Sequence, residues 1–249
     1  MFVQHRNLPR KSANSWLPER KGLLDKVLAD YYILWENEAP IPDDQPKVTT
    51  AYGEVMKERL EGSDRSRAWI NYVDQLNQVF PDNQVKRETR SQPGMGVQII
   101  VQEQTLGALT AKKTLHLYQS LLGPFFTVFG VDEVHYYNGS YYTHQFDPII
   151  TAAPIEEYEQ AFMQLWEYHQ THFPASHFMS FNLARFQHSG LQTSSTSHTG
   201  DNSWLEALFT SRDFGQYSFR GSMLFGLDQW WDMPKNGGWT AYPPGQTPG

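Results

Sequence analysis

The chain has 249 residues, a formal charge of −7 and 39% apolar residues, including 8 Trp, 13 Tyr and 15 Phe, which is enough length and apolar surface for a sizeable core. It has no cysteine, which excludes a disulfide framework, a thiol nucleophile and any thiolate metal site, and its acidity argues against general nucleic-acid binding, which needs clustered Lys and Arg. No stretch approaches the roughly 18 apolar residues of a membrane helix and the first twenty residues lack the apolar centre of a secretory signal, so a cytoplasmic protein is expected.

The first 90 residues read as mainly helical. Leu23, Leu24, Val27, Leu28, Tyr31 and Leu34 recur at helical spacing and predict a helix over 17–37. Pro40, Pro42 and Pro46 make 39–48 a connector. Two further helices are expected over 50–61 and 64–80, with Ser63 as N-cap of the second and Trp69, Val73, Leu76 and Phe80 as its apolar stripe. The polar run 81–96 reads as a surface loop.

From Val97 the period shortens. Short runs of β-branched and aromatic residues predict strands over 97–105, 112–121, 125–137 and 141–150, an antiparallel meander within the sheet-containing part, 91–233. Asn138-Gly139 suits a two-residue type I′ turn, which would set Tyr137 opposite Ser140, Tyr136 opposite Tyr141, His135 opposite Tyr142 and Glu133 opposite His144. A helix is expected over 153–173, with Pro154 at its first position, Glu156, Glu157 and Glu159 near its positive end, and Ile155, Tyr158, Phe162, Leu165 and Trp166 inward. A strand from His177, a polar loop over 189–203, a helical patch over 204–209 and a flexible tail over 234–249 complete the reading: one α+β domain spanning 1–249.

Charge is distributed unevenly. Between Thr114 and Ala184 there is no Lys or Arg, and the seven acids there, Asp132, Glu133, Asp147, Glu156, Glu157, Glu159 and Glu167, equal the net charge of the chain. One reading is a negative surface presented to a basic partner; the other is an ordinary solvated helix face beside a buried sheet. Tyr136, Tyr137, Tyr141 and Tyr142 cluster at the expected hairpin tip, a surface location. Aromatics anchor interfaces at little entropic cost, and partner-binding residues are therefore expected at Asp132, Glu133, Tyr136, Tyr137, Tyr141, Tyr142, Glu156, Glu157 and Glu159. Trp230, Trp231 and Trp239 form a second aromatic group.

Catalytic signals are sparse. Six histidines, His116, His135, His144, His169, His172 and His177, fall in the same run, and His169 and His172 have a spacing that permits a shared ligand pair, but no third ligand has diagnostic spacing. Ser194, Ser195 and Ser197 beside His198 lack the context of a nucleophile elbow, and no phosphate or dinucleotide fingerprint occurs. No catalytic residue, metal or cofactor is assigned. A metal-dependent or hydrolytic enzyme using His135, His144, His169 and His172, and a structural or assembly protein, stand as alternatives to a binding protein. The oligomeric state is open.

Three segments carry a resemblance. SLLGPFFTVFGVDEV at 120–134, the helix EEYEQAFMQLWEYHQTHFP, and HFMSFNLARF followed later by WLEALF resemble immunity proteins of bacterial secreted-toxin systems, in the order of elements over about residues 97–210. The resemblance implies a cytoplasmic protein without catalysis that binds and blocks a cognate toxin, often by covering a basic cleft with an acidic surface. It assigns no individual residue.

Overall fold

Alternating apolar residues of long strands become the middle layer of a sheet covered by helices on both faces. The computed structural model describes residues 17–34, 46–60, 63–88, 93–137, 139, 142–188, 190–193, 203–212, 214, 217–222 and 225–230, the side chains of 60, 142–147 and 228 excepted. In chain order they form α1 (Pro18–Tyr31), α2 (Thr50–Leu60), α3 (Asp64–Val79), β1 (Gln84–Glu88), β2 (Gly94–Leu106), β3 (Leu109–Ser120), β4 (Phe125–Tyr137) and β5 (Tyr142–Thr151). A 3-10 turn (Glu156–Tyr158) then leads into α4 (Glu159–His172), β6 (His177–Phe178), α5 (Phe181–Ala184), α6 (Trp204–Leu208) and β7 (Ser218–Arg220). The strands run in the order β1-β2-β3-β4-β5-β7, with β6 beside β4. Neighbours pair antiparallel except for β6 on β4 and β7 on β5. The chain is an α+β protein.

Successive strand side chains point to opposite faces, so the two faces carry separate cores. On one, Val97, Ile99, Leu115, Leu117, Phe126 and Val128 pack against Trp69, Tyr72, Val73 and Leu76 of α3 and against Tyr158, Phe162 and Leu165 around α4. On the other, Tyr118, Phe125, Phe129, Val131 and Ile150 meet Leu24, Val27 and Leu28 of α1, the buried side chains of α5 and α6, Phe214 and Trp230. Fully burying one such side chain contributes roughly 1.5–3 kcal/mol. Ser63 caps α3 by accepting from the Ser66 backbone N–H, as its sequence position predicts. Ser203 and Glu206 form a reciprocal capping box on α6.

Several expectations need correction. α1 stops at Tyr31, and Leu34 is exposed. Part of the expected 81–96 loop is strand: β1 is a mostly exposed edge strand held by pairing with β2, so its own residues carry little apolar signal. The two-residue hairpin lies elsewhere, between Leu106 and Leu109, where Gly107 has φ 59, a conformation that costs glycine nothing. At the β4–β5 connection Tyr137 pairs with Tyr142, Tyr136 with Thr143 and His135 with Gln145, with two register irregularities. Four residues separate these strands instead of two, and connection length fixes register. Asn138, Ser140 and Tyr141 lie outside the described residues, as do the side chains of Tyr142, His144 and Asp147.

α4 begins at Glu159, because the positive φ of Glu156, 52, interrupts the helical path ahead of it. Pro154 therefore precedes the helix, and Glu156 and Glu157 belong to the 3-10 turn. The strand from His177 is two residues long, since Ser180 caps α5 immediately afterwards. Trp230 is core, its indole N–H donating to the Phe178 carbonyl at 2.7 Å; Trp231, Trp239, most of the 189–203 loop and the 234–249 tail are outside the described residues.

Candidate functional site

β2, β3 and β4 outrun the helices that cover them. On the face shared with α4 the cover ends at Tyr158. Its ring lies over Gly130, where a Cβ would approach within 2.7 Å of it, and its hydroxyl donates to Asp132 Oδ1 at 2.6 Å. Beyond that point Gln102, Gln104, Ala111, Lys112, Lys113, Asp132, Glu133, Val134 and Ile149 line a groove of about 280 Å³. Past the groove, Leu106 pairs with Leu109 and Leu109 with Tyr136. Paired residues share a face, so these three form one apolar row across three strands, 69%, 41% and 40% exposed respectively. Tyr137, 43% exposed, points to the opposite face; its backbone N–H donates to Ala108 and its hydroxyl to the Gly139 carbonyl.

The acids expected to face a partner are largely engaged at home. Asp132 accepts from Lys113 at 3.1 Å and pairs with Arg220 at 3.1 Å. Glu156 and Glu157 each pair with Arg220 at 2.7 Å, and Lys113 also binds Glu157. Burial would push the Glu157 carboxyl upward, but the hydrogen bonds from Lys113 and Arg220 prevail and hold it at about 2. Burial opposes the charge on Lys113 and Arg220 as well, yet the carboxylates keep both raised. Three carboxylates thus share two cations, one from β3 and one from β7. Glu159 is exposed at the start of α4.

A second polar cluster lies on the other face. Glu133 accepts from Arg212 at 2.5 Å and faces His135 at 3.3 Å. Arg212 also donates to the Tyr217 hydroxyl at 2.7 Å. Burial raises the Glu133 carboxyl while Arg212, His116 and His135 outweigh it, so its pKa is lowered. His116 is buried against Phe129, with Glu88 at 3.7 Å and the Tyr118 hydroxyl at 3.4 Å. The cluster pins the segment around Arg212 to the sheet.

Of the histidines expected to meet, the side chain of His144 lies outside the described residues and the other three do not form a shared ligand site. His169 is fully buried between the Tyr72 hydroxyl at 3.0 Å and Gln119 Oε1 at 2.9 Å, and burial, with a smaller effect of His172, lowers it to about 3. His172 Nδ1 faces the Tyr168 carbonyl. His135 is on the opposite side of the sheet. Among the described residues no three of His, Asp and Glu are arranged to hold a metal, and no helix is long and apolar enough to cross a membrane.

Of the nine expected contact residues, the structure joins Asp132, Glu156 and Glu157 in one network, sets Glu133 across the sheet from it, and exposes Tyr136, Tyr137 and Glu159. Leu106 and Leu109 were not expected there, although two leucines flanking Gly107-Ala108 are a hairpin-tip signal. Arg212 and Arg220 have no local signal at all, since they meet the acids only through the fold. Comparison of the chain with protein families, curated proteins and solved structures gave no match.

Proposed function

We propose that the chain is a cytoplasmic binding protein that neutralises a bacterial toxin, and that its contact surface is the open end of the sheet. The observation that carries this reading is the Leu106–Leu109–Tyr136 row. Large apolar side chains left bare side by side favour a protein interface over a solvated surface, and the resemblance to immunity proteins supplies the kind of partner. The contact is apolar and aromatic at its centre, with the groove and its carboxylates beside it. An acidic sheet with free carboxylates is not the feature that binds, because Asp132, Glu133, Glu156 and Glu157 already have cationic partners.

Co-expression with the product of the reading frame immediately upstream tests the reading. The expected result is growth protection and a co-purifying complex, both lost in the double variant Leu109→Glu, Tyr136→Glu while its thermal melt stays unchanged. Equal protection by the double variant, or an upstream product that is neither toxic nor bound, overturns it.

A further inference from the structure

We infer that the outer edge of β2 from Gln102 to Leu106 pairs with an extended segment of the partner protein, which joins the sheet as an antiparallel strand. This rests on the binding reading and adds the mode of contact. β1 pairs with Gly96–Ile100 of β2 and goes no further, and Asn83 marks the end by donating its side-chain amide to the Ile100 carbonyl at 2.9 Å. Every residue from 102 to 109 is exposed, and among the described residues no strand lies outside this length of β2. Backbone direction follows from the hairpin. The Ala108 carbonyl turns to β4, where it accepts from the Tyr137 N–H at 2.7 Å, so Leu109 turns to β2 and closes the hairpin on Leu106. Bonding direction alternates along an antiparallel strand. Leu106, Gln104 and Gln102 therefore bond to β3, while Glu103 and Thr105 hold their N–H and C=O groups out at the edge. The bulge between Ile100 and Gln102 shifts the alternation by one residue, which is why Ile100 also faces outward.

Edges that must stay free are blunted by lysine, proline or a bulge. β1 carries Lys86 and Arg87, and the edge of β5 beyond β7 starts at Pro148. Residues 102–106 contain neither lysine nor proline, and the bulge lies before them. The rows on the two faces select the occupant. On one face a further strand extends the row Tyr136–Leu109–Leu106, which favours an apolar residue opposite Leu106. On the other, the Thr105 and Thr110 hydroxyls lie 3.2 Å apart, which suits a hydroxyl residue opposite Thr105. Glu103, already paired with Lys112, excludes an acid opposite it, because like charges directly opposite are destabilising. A second copy of the chain fits these rows poorly. Two registers of antiparallel self-pairing through the outward groups of Glu103 and Thr105 set Leu106 opposite Gln102 or Gln104, and the third sets Glu103 against its own copy. The occupant is therefore a segment of a different chain, with an apolar, a hydroxyl and a non-acidic residue at its first, second and fourth positions.

The test follows backbone amide hydrogen exchange of the full chain with and without the peptide acetyl-Ile-Thr-Val-Thr-Val-Lys-amide, whose first five residues would lie opposite Leu106 to Gln102. In the free chain the Glu103 and Thr105 amides are expected to exchange fast and the Gln104 amide slowly, and the peptide should slow Glu103 and Thr105. N-methylation of the two peptide threonines, which removes the donors aimed at β2, should abolish the effect. Serine in place of the peptide isoleucine should weaken it about fivefold. Thr105→Pro removes an outward N–H alone, as an edge proline does, and should block the peptide with the thermal midpoint kept, whereas Gln104→Pro breaks a bond to β3 and should lower the midpoint. Slow exchange at Glu103 and Thr105 in the free chain, equal binding of the methylated peptide, or a midpoint lowered alike by both prolines overturns the inference. Slowing that rises with protein concentration in the absence of peptide overturns it in favour of a second copy. If the edge takes no peptide while the double variant Leu109→Glu, Tyr136→Glu still abolishes toxin capture, this inference falls and the binding reading stands. If the edge takes the peptide while the double variant still protects, the binding reading falls instead.

Discussion

The same three strands cross two environments, and the contrast between them explains most of the molecule. In the covered half, Val97, Ile99, Leu115, Leu117, Phe126, Val128 and Phe129 are wholly buried, because helices lie on both faces. In the open half, β2 and β3 carry Gln102, Glu103, Gln104, Lys112 and Lys113, and the apolar residues that remain are exposed. Helical cover, and not strand pairing, decides which half contributes stability. Pairing continues, past a bulge between Ile100 and Gln102, to Leu106↔Leu109 without any core beneath it.

Substitutions in the two halves should therefore separate sharply. Phe129→Ala, deep in the covered half, should lower unfolding free energy by about 3–5 kcal/mol, read from urea midpoints. His169→Gln should change the acid limb of stability most. The folded state keeps His169 neutral down to about pH 3 while the unfolded chain takes up a proton near 6.5. The unfolded state therefore holds more protons in that window, and stability falls as pH drops from 6.5 to 3. The variant should flatten that fall in denaturant titrations repeated across pH.

Gly130→Ala tests the boundary between the halves. The added methyl meets the Tyr158 ring at 2.7 Å and should cost about 1–3 kcal/mol by overpacking, with a lowered thermal midpoint. Glu157→Gln should cost less, under about 1 kcal/mol, because the site is partly solvated. Glu157 is depressed to about 2, so its contribution is present above pH 4.5 and lost as pH falls from 4.5 to 2. A difference between variant and parent that vanishes near pH 2 would match. Leu109→Ser, at the open end, should move stability by no more than about 0.5 kcal/mol and yet abolish toxin capture. A loss of several kcal/mol there would mean that the open end is core after all.

Legibility in the sequence divides along the same line. β2 to β5 follow from runs such as FFTVFGV, whose continuous apolar character reflects burial on both faces. α3 and the Ser63 cap are equally local. What local pattern misses is whatever another segment imposes. β1 exists through β2, and the start of α4 is displaced by Glu156, whose carboxylate is held by Arg220 from a strand 64 residues on. The expected acidic surface failed to remain free for the same reason. A run without Lys or Arg in sequence is not a region without them in space, since Lys113, Arg212 and Arg220 flank it and fold back onto it. The exposed Tyr136 and Tyr137 were legible because a hairpin tip is a local feature; Leu106 and Leu109 carried the same signal one hairpin earlier.

Trp230 has a consequence for how the chain is made. Its backbone carbonyl accepts from the Leu17 N–H at 2.7 Å, and its ring, wholly buried, packs against Phe125. α1 and the core beneath it therefore close onto a residue that leaves the ribosome more than two hundred residues after Leu17. Contacts of such separation form late and slow folding. During synthesis the α3 and α4 side of the sheet can be complete while the α1 side still waits for its last ring, so a nascent chain paused before residue 230 presents Phe125 to chaperones and proteases.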